Sequence, residues 1–165
     1  MVFVEARDRF RLEVSNFLLA SGEEFSAMSN PRLLLEQFQI AYNDHNSEAM
    51  AAFYSDSAVL VEPGRDVIHG RTAIRTHWAE MFGAFPDLRV AYTSWLDSEL
   101  TAMAEGTIEG THTGTYPAPS GARVPGSGRA LAIPFMTAIT VEAGAIVSQR
   151  VYLDQAEITR QLRPS

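Results

Sequence analysis

The spacing of apolar positions changes once along this chain, near Phe85-Pro86, and that change predicts its architecture. Before it the apolar residues recur at helical intervals. Phe10, Val14, Phe17 and Leu18 form a first stripe, ended by Ser21-Gly22. Asn30-Pro31 is a helix start, an N-cap followed by a first-turn proline whose missing N–H costs nothing there. Leu34, Phe38, Ala41 and Tyr42 form its apolar face. A short helix carrying Met50, Phe53 and Tyr54 follows, then a strand over Ala58-Val59-Leu60-Val61 closed by Pro63-Gly64. Ile74, Trp78, Met81, Phe82 and Phe85 line a further helix that opens after Gly70 and stops at Pro86.

Beyond that point the spacing becomes that of strands, over 89–96, 101–116, 130–141 and 145–154, with a last short helix at 155–162. The segment from Pro117 to Gly128 is rich in proline and glycine and predicts a long hairpin loop, and Gly144 predicts a tighter turn. Helices first and a strand meander afterwards predict an α+β domain rather than a doubly wound nucleotide fold. Residues 1–27 stand apart, as an accessory helix and linker or as an over-extended start with Met28 opening the core domain, 28–165.

Composition narrows the chemistry. The 165 residues include no cysteine, and every basic residue is arginine. Thiolate nucleophiles, disulfides, lysine Schiff bases and phosphate-loop lysines are therefore excluded. A formal charge of −7 argues against a nucleic-acid partner, which would need a basic face. No apolar run approaches the ~20 residues of a membrane span. Glu5, Arg7, Asp8 and Arg9 do not fit a secretory leader, so the expected setting is the cytoplasm.

Two residues stand out as carriers of acid–base chemistry. Parity places His112 on the same face as Ala102, Ala104, Ile108 and Tyr116, an interior face. It is a catalytic candidate, or a core histidine bonded to a neighbour. Asp154 ends the last strand and shares parity with Tyr152 and Arg150, opposite Val147, Val151 and Leu153. If that face looks inward, Asp154 is a partly buried carboxylate with a raised pKa. The alternative is structural, because Asp154-Gln155-Ala156-Glu157 also has the form of a helix N-cap. An inward Arg150 would need a carboxylate such as Asp154, Glu62 or Asp97. His69 and His77 lack metal-ligand spacing, and no metal site is expected.

The segment from about Leu33 to Leu162 resembles the SnoaL-like polyketide cyclase group of the nuclear transport factor 2-like superfamily. The resemblance is carried by Tyr42-Asn43-Asp44-His45-Asn46 with Ala49 to Asp56, and by Gly70-Arg71-Thr72-Ala73-Ile74 with Phe85-Pro86-Asp87-Leu88. Gly110-Thr111-His112-Thr113-Gly114 with Pro119-Ser120-Gly121, and Tyr152-Leu153-Asp154 with Gln161-Leu162, complete it. It departs at Leu153, where the family often has tryptophan, and at an insertion from Ala122 to Gly128.

The resemblance implies a cone, a curved and mostly antiparallel sheet wrapped around the N-terminal helices, with an apolar pocket and a homodimeric assembly. It implies a cofactor-free enzyme performing an aldol-type cyclisation or isomerisation of a hydrophobic carbonyl compound. Asp154 would be the acid–base group and His112 its companion. Tyr152, Tyr116, Trp78, Phe82, Phe135 and Arg150 are the candidates for substrate contact. Two alternatives remain at this level. One is an epoxide hydrolase or dehydratase on the same fold, using Arg150 and a second inward carboxylate. The other is a non-catalytic small-molecule-binding or interaction module, in which Asp154 is a solvated cap.

Overall fold

A computed structural model of the chain describes residues 30–163. The stripe at Phe10 to Leu18, and with it the accessory segment 1–27, lies outside the described residues. Helix α1 spans Pro31–Asn43 and starts where the sequence predicts, with the Asn30 side chain accepting from the N–H groups of Arg32 and Leu33. Helix α2 is shorter than expected, Ser47–Ala52, and is capped by Asn46. Tyr54 opens strand β1 (Tyr54–Val61) instead of closing that helix. The change follows from burial, since Tyr54, Ala58 and Leu60 are all fully enclosed on the strand's inner face.

Strand β2 (Ile68–His69) pairs antiparallel with β1, and Gly70 then turns the chain at φ 84° into α3, Arg71–Ala84. The meander follows as β3 (Arg89–Asp97) and β4 (Thr101–Thr111), a small ribbon of β5 (Tyr116–Pro117) and β6 (Arg123–Val124), then β7 (Ala130–Glu142) and β8 (Ala145–Leu153). Helix α4 spans Gln155–Leu162. The segment expected to be one strand over 101–116 ends at Thr111, and the proline–glycine loop carries a ladder of its own.

The main sheet runs β2-β1-β8-β7-β4-β3 and is antiparallel throughout except where β1 lies parallel to β8. Its inner face carries Leu60, Ala104, Ile133, Ile139, Ile146 and Val151 against Leu35 and Phe38 of α1 and Ile74 and Trp78 of α3. Each of the larger aliphatic and phenylalanine side chains contributes roughly 1.5–3 kcal/mol on burial. This is the α+β domain that the pattern predicts, with the curved sheet around the helices that the resemblance implies. No helix among the described residues is long and apolar enough to cross a membrane.

Two irregularities in the sheet decide which residues face the interior. In β8 the register slips between Val141↔Ile146 and Thr140↔Ser148, so Val147 is an extra residue. Ile146, Gln149 and Val151 then point inward, and Arg150 and Tyr152 point outward. In β3 the register slips between Tyr92↔Gly106 and Ser94↔Glu105, leaving Thr93 unpaired. That bulge keeps Val90, Tyr92 and Trp95 on the core side although their spacing is not even.

Candidate active site

Between the helices and the inner face of the sheet lies a hollow. It encloses about 700 Å³ of atom-free space counting its open mouth, of which the centre of a water molecule can reach about 60 Å³. Its walls include Phe38, Trp78, Ile108, Ile133, Phe135 and Val151, so it is narrow and largely apolar. Predominantly apolar walls with a few placed polar groups are what small-molecule sites share.

Charge enters this hollow at one place. Glu62 follows directly on β1, and Pro63-Gly64 turns the chain so that Arg65 folds back toward it. Arg65 Nε lies 3.1 Å from Glu62 Oε2, with both side chains largely buried. The Nε–H is not aimed at that oxygen, so the contact is an ion pair rather than a straight hydrogen bond. The Arg65 guanidinium also donates to the Pro117 carbonyl and stands 5.8 Å over the Tyr116 ring. These contacts tie the end of β1 to the β5–β6 ribbon.

From the other side, His77 of α3 brings Nε2 to 3.2 Å from Glu62 Oε1. A carboxylate can only accept, so Nε2 carries the hydrogen. Burial pushes the Glu62 carboxyl up, but His77 and Arg65 outweigh it and hold it below the ordinary carboxylate range. At neutral pH the hollow therefore contains an ionised carboxylate in an apolar wall. Glu62 is the only carboxylate among the described residues that line it.

A second polar chain crosses the floor. The Tyr54 hydroxyl donates to Gln149 Oε1, and Gln149 Nε2 donates to Thr137 Oγ1 at 3.0 Å. These groups satisfy one another inside the core. Tyr42 and Tyr92 add two phenols to the lining.

Of the residues expected to form the site, Tyr116, Trp78 and Phe135 do line the hollow. Asp154 is placed differently from the inward position considered for it. It is exposed, and its Oδ1 accepts from the N–H of Ala156 at 2.8 Å and of Glu157 at 3.2 Å. The apolar Val151 and Leu153 take the inner side of β8, which leaves Asp154 as the N-cap of α4. For the same reason Arg150 is exposed and Tyr152 is 48% exposed, both on the outer face. The hydrolase reading that depends on an inward Arg150 loses its arginine.

Phe82 is buried, but it packs between Tyr42 and His45 instead of lining the hollow. His112 is interior, as its parity predicts, yet it does not line the hollow either. Its ring stacks on Phe85 at 5.1 Å, and its Nδ1 accepts the Ser127 N–H at 3.3 Å. Its backbone receives Gly128 and donates to Arg129, so it clamps the base of the proline–glycine loop. Burial lowers its pKa, only partly offset by the Val124 and Gly114 carbonyls, and keeps the ring neutral.

The groups that the parity argument missed were nevertheless signalled. Ile74, His77, Trp78 and Met81 fall at i, i+3, i+4 and i+7, so a histidine sits inside an apolar stripe. Glu62 and Arg65 flank a Pro-Gly turn directly after a buried strand.

The fold recurs in solved structures. A protein of Pseudomonas putida KT2440 assigned as a polyketide cyclase superposes with a TM-score of 0.72 at 16% identity, covering 81% of this chain and 98% of its own. IdmH of Streptomyces antibioticus, likewise assigned as a polyketide cyclase, gives 0.65 at 20% identity, covering 80% and 97%. A protein of ketosteroid isomerase-like fold from Catenulispora acidiphila DSM 44928, in complex with trimethylamine, gives 0.65 at 16% identity, covering 78% and 90%. At such identities the likeness is one of fold. No curated protein matches the sequence. The family model of the SnoaL-like polyketide cyclases matches residues 32–162, which span the cone, the hollow and the Glu62–Arg65–His77 cluster, and the chain belongs to that family.

Proposed function

We propose that this protein is a small-molecule enzyme performing acid–base chemistry on a hydrophobic carbonyl compound, with Glu62 as the base. The observation that carries this reading is the Glu62 carboxylate, ion-paired with Arg65 and hydrogen-bonded by His77 in the wall of an otherwise apolar hollow. In this mechanism the ionised carboxylate removes a proton from the carbon beside a carbonyl. The electron pair of the C–H bond moves to the carbonyl oxygen as an enolate. His77 and Arg65 hold Glu62 in the ionised form and in place. The enolate carbon then attacks a second carbonyl of the same molecule, closing a ring, or is reprotonated at another position. Glu62, now protonated, returns the proton. A positioned base contributes ~10²–10⁴-fold.

The test follows hydrogen–deuterium exchange at the α-carbons of a panel of aromatic and alicyclic ketones in D2O by NMR. The expected result is protein-dependent exchange of at least one ketone that is lost in Glu62→Gln. Exchange that persists at the native rate in that variant removes Glu62 from the role.

A second reading is a binding protein without catalysis. It is favoured by the neutralisation of Glu62 by Arg65, which leaves the hollow electrically closed. It predicts ligand binding with no exchange in any variant. A dehydratase or hydrolase would need a further carboxylate facing the hollow, so it ranks behind both. We also infer a homodimer through the outer face of the sheet, where Ala132, Pro134 and Tyr152 are exposed. Sedimentation equilibrium returning twice the 18.2 kDa chain mass is the expected result, and a monomer overturns it.

A further inference from the structure

We propose that Tyr42 and Tyr92 form the oxygen-binding point of the hollow, donating two phenolic hydroxyls to a single carbonyl or enolate oxygen of the ligand. The proposal rests on the reading above for the fate of that oxygen, and on the geometry alone for its capture.

Three tyrosines line the hollow, Tyr42, Tyr92 and Tyr116. Tyr116 lies under the Arg65 guanidinium. Tyr54, just behind, has given its hydroxyl to Gln149. Tyr42 and Tyr92 have no hydrogen-bond partner among the described residues. Nor are their oxygens among the sealed, unpartnered polar atoms of the core, which include Ser55 Oγ and Trp78 Nε1. A hydroxyl that is neither bonded nor sealed opens onto the space beside it, and for these two that space is the hollow. A buried phenol without a partner is costly, which is why such hydroxyls usually find one. A ligand oxygen supplies it.

Both rings are held in place before any ligand arrives. Tyr42, 5% exposed, is wedged against Trp78 at 5.6 Å and Phe82 at 5.3 Å. Tyr92 lies between Trp95 at 4.9 Å and Phe135 at 5.7 Å. The β3 bulge turns Tyr92 inward, and Gly106 opposite it permits the bulge, because a Cβ there would stand 2.0 Å from the Ala91 carbonyl oxygen. Donors fixed in advance and aimed where negative charge develops stabilise that charge without reorganisation.

Burial raises the pKa of both phenols, and the Glu62 charge adds to the rise at Tyr42. Both therefore remain protonated donors. Glu62, Tyr42 and Tyr92 all line the one hollow, so base and donors share its space. The ligand class that follows is an apolar compound with one acceptor oxygen beside an acidic C–H, a ketone or enone.

The test uses two probes of one shape, acetophenone and α-methylstyrene, in which CH2 replaces the oxygen. Affinities come from fluorescence or calorimetric titration, and the stretching frequency of ¹³C-labelled acetophenone carbonyl is read by infrared difference spectroscopy. The native protein is expected to prefer acetophenone by about 10-fold, the scale of one or two hydrogen bonds. The carbonyl frequency should fall relative to an apolar solvent. Tyr42→Phe and Tyr92→Phe should each weaken the preference about 3-fold or more and raise the frequency, with α-methylstyrene unaffected. The proposal is overturned if the double variant keeps both the preference and the lowered frequency, or if neither probe binds. Where a phenylalanine variant does not fold, 3-fluorotyrosine at the same position, a stronger donor, should lower the frequency further; an unchanged frequency overturns the assignment. Glu62→Gln separates the two readings. A lowered carbonyl frequency with no α-proton exchange in the native protein rejects the base and keeps the phenols.

Discussion

Glu62 and His77 meet at 3.2 Å, the end of a strand against the middle of a helix, and Arg65 completes the cluster from the next turn of chain. Its partners hold the Glu62 carboxyl below its usual range, so the folded state resists protonation that the unfolded chain accepts. The stabilisation is complete above the ordinary carboxylate value and is lost as pH falls through the depressed folded one. Urea denaturation from pH 7 to pH 3 should show this loss in the native protein and not in Glu62→Gln. The variant should itself be about 3–5 kcal/mol less stable at neutral pH, because it leaves the largely buried Arg65 guanidinium without its anion.

Arg65→Met isolates the counter-charge. Burial alone would raise the Glu62 pKa, so the acid limb of any pH–rate profile should move upward in this variant. A profile with its acid limb unmoved would show that Arg65 does not hold the ionised form.

Asp154→Ala should lower stability by about 1 kcal/mol through loss of the α4 cap, and Asp154→Asn should cost less, since asparagine caps as well. Thermal melts check both.

The α+β order was legible in the sequence because helical and strand periods are strong local signals, whereas the closing of the sheet into a cone was implied only by the family resemblance. Asn30-Pro31, Pro86 and Gly144 mark real boundaries. Trp78 and Tyr116 were legible as interior residues, because their apolar stripes face inward; that they and Phe135 line a hollow is visible only in the packed structure. Asp154 and Arg150 were open questions, because parity states which residues share a face and not which face is inside. The extra residue Val147 adds to the ambiguity, since a one-residue slip exchanges the faces of everything before it. Glu62, Arg65 and His77 lie far apart in the pattern, on a strand end, a turn and a helix. Only the packing of α3 over β1 brings them together, and no spacing rule records that.

Gly106 offers a test of the bulge that aims Tyr92. In Gly106→Ala the new methyl would collide with the β3 backbone, which cannot swing aside as a side chain would. The expected cost is about 1–3 kcal/mol or more, with altered amide shifts confined to β3 and β4. A neutral substitution would mean that the strands separate more easily than this packing implies.

His112 should report on pH in a separate window. Its folded pKa is depressed from the ordinary 6.5 by burial, so it is the neutral ring that stabilises. That contribution is intact above 6.5 and falls away as pH drops through the folded value, because the unfolded chain takes the proton first. Denaturation midpoints between pH 7.5 and pH 5 should decline less in His112→Gln than in the native protein, although the variant is less stable overall.

The most direct test of the central claim sets two carboxylates against each other in one assay. Alpha-proton exchange of a responsive ketone is measured for the native protein, Glu62→Gln and Asp154→Asn, all confirmed folded by melting. The account predicts a loss of about 10²-fold or more in Glu62→Gln and a rate within about twofold of native in Asp154→Asn. A native rate in Glu62→Gln with a collapse in Asp154→Asn would contradict it and return the chemistry to the end of the last strand.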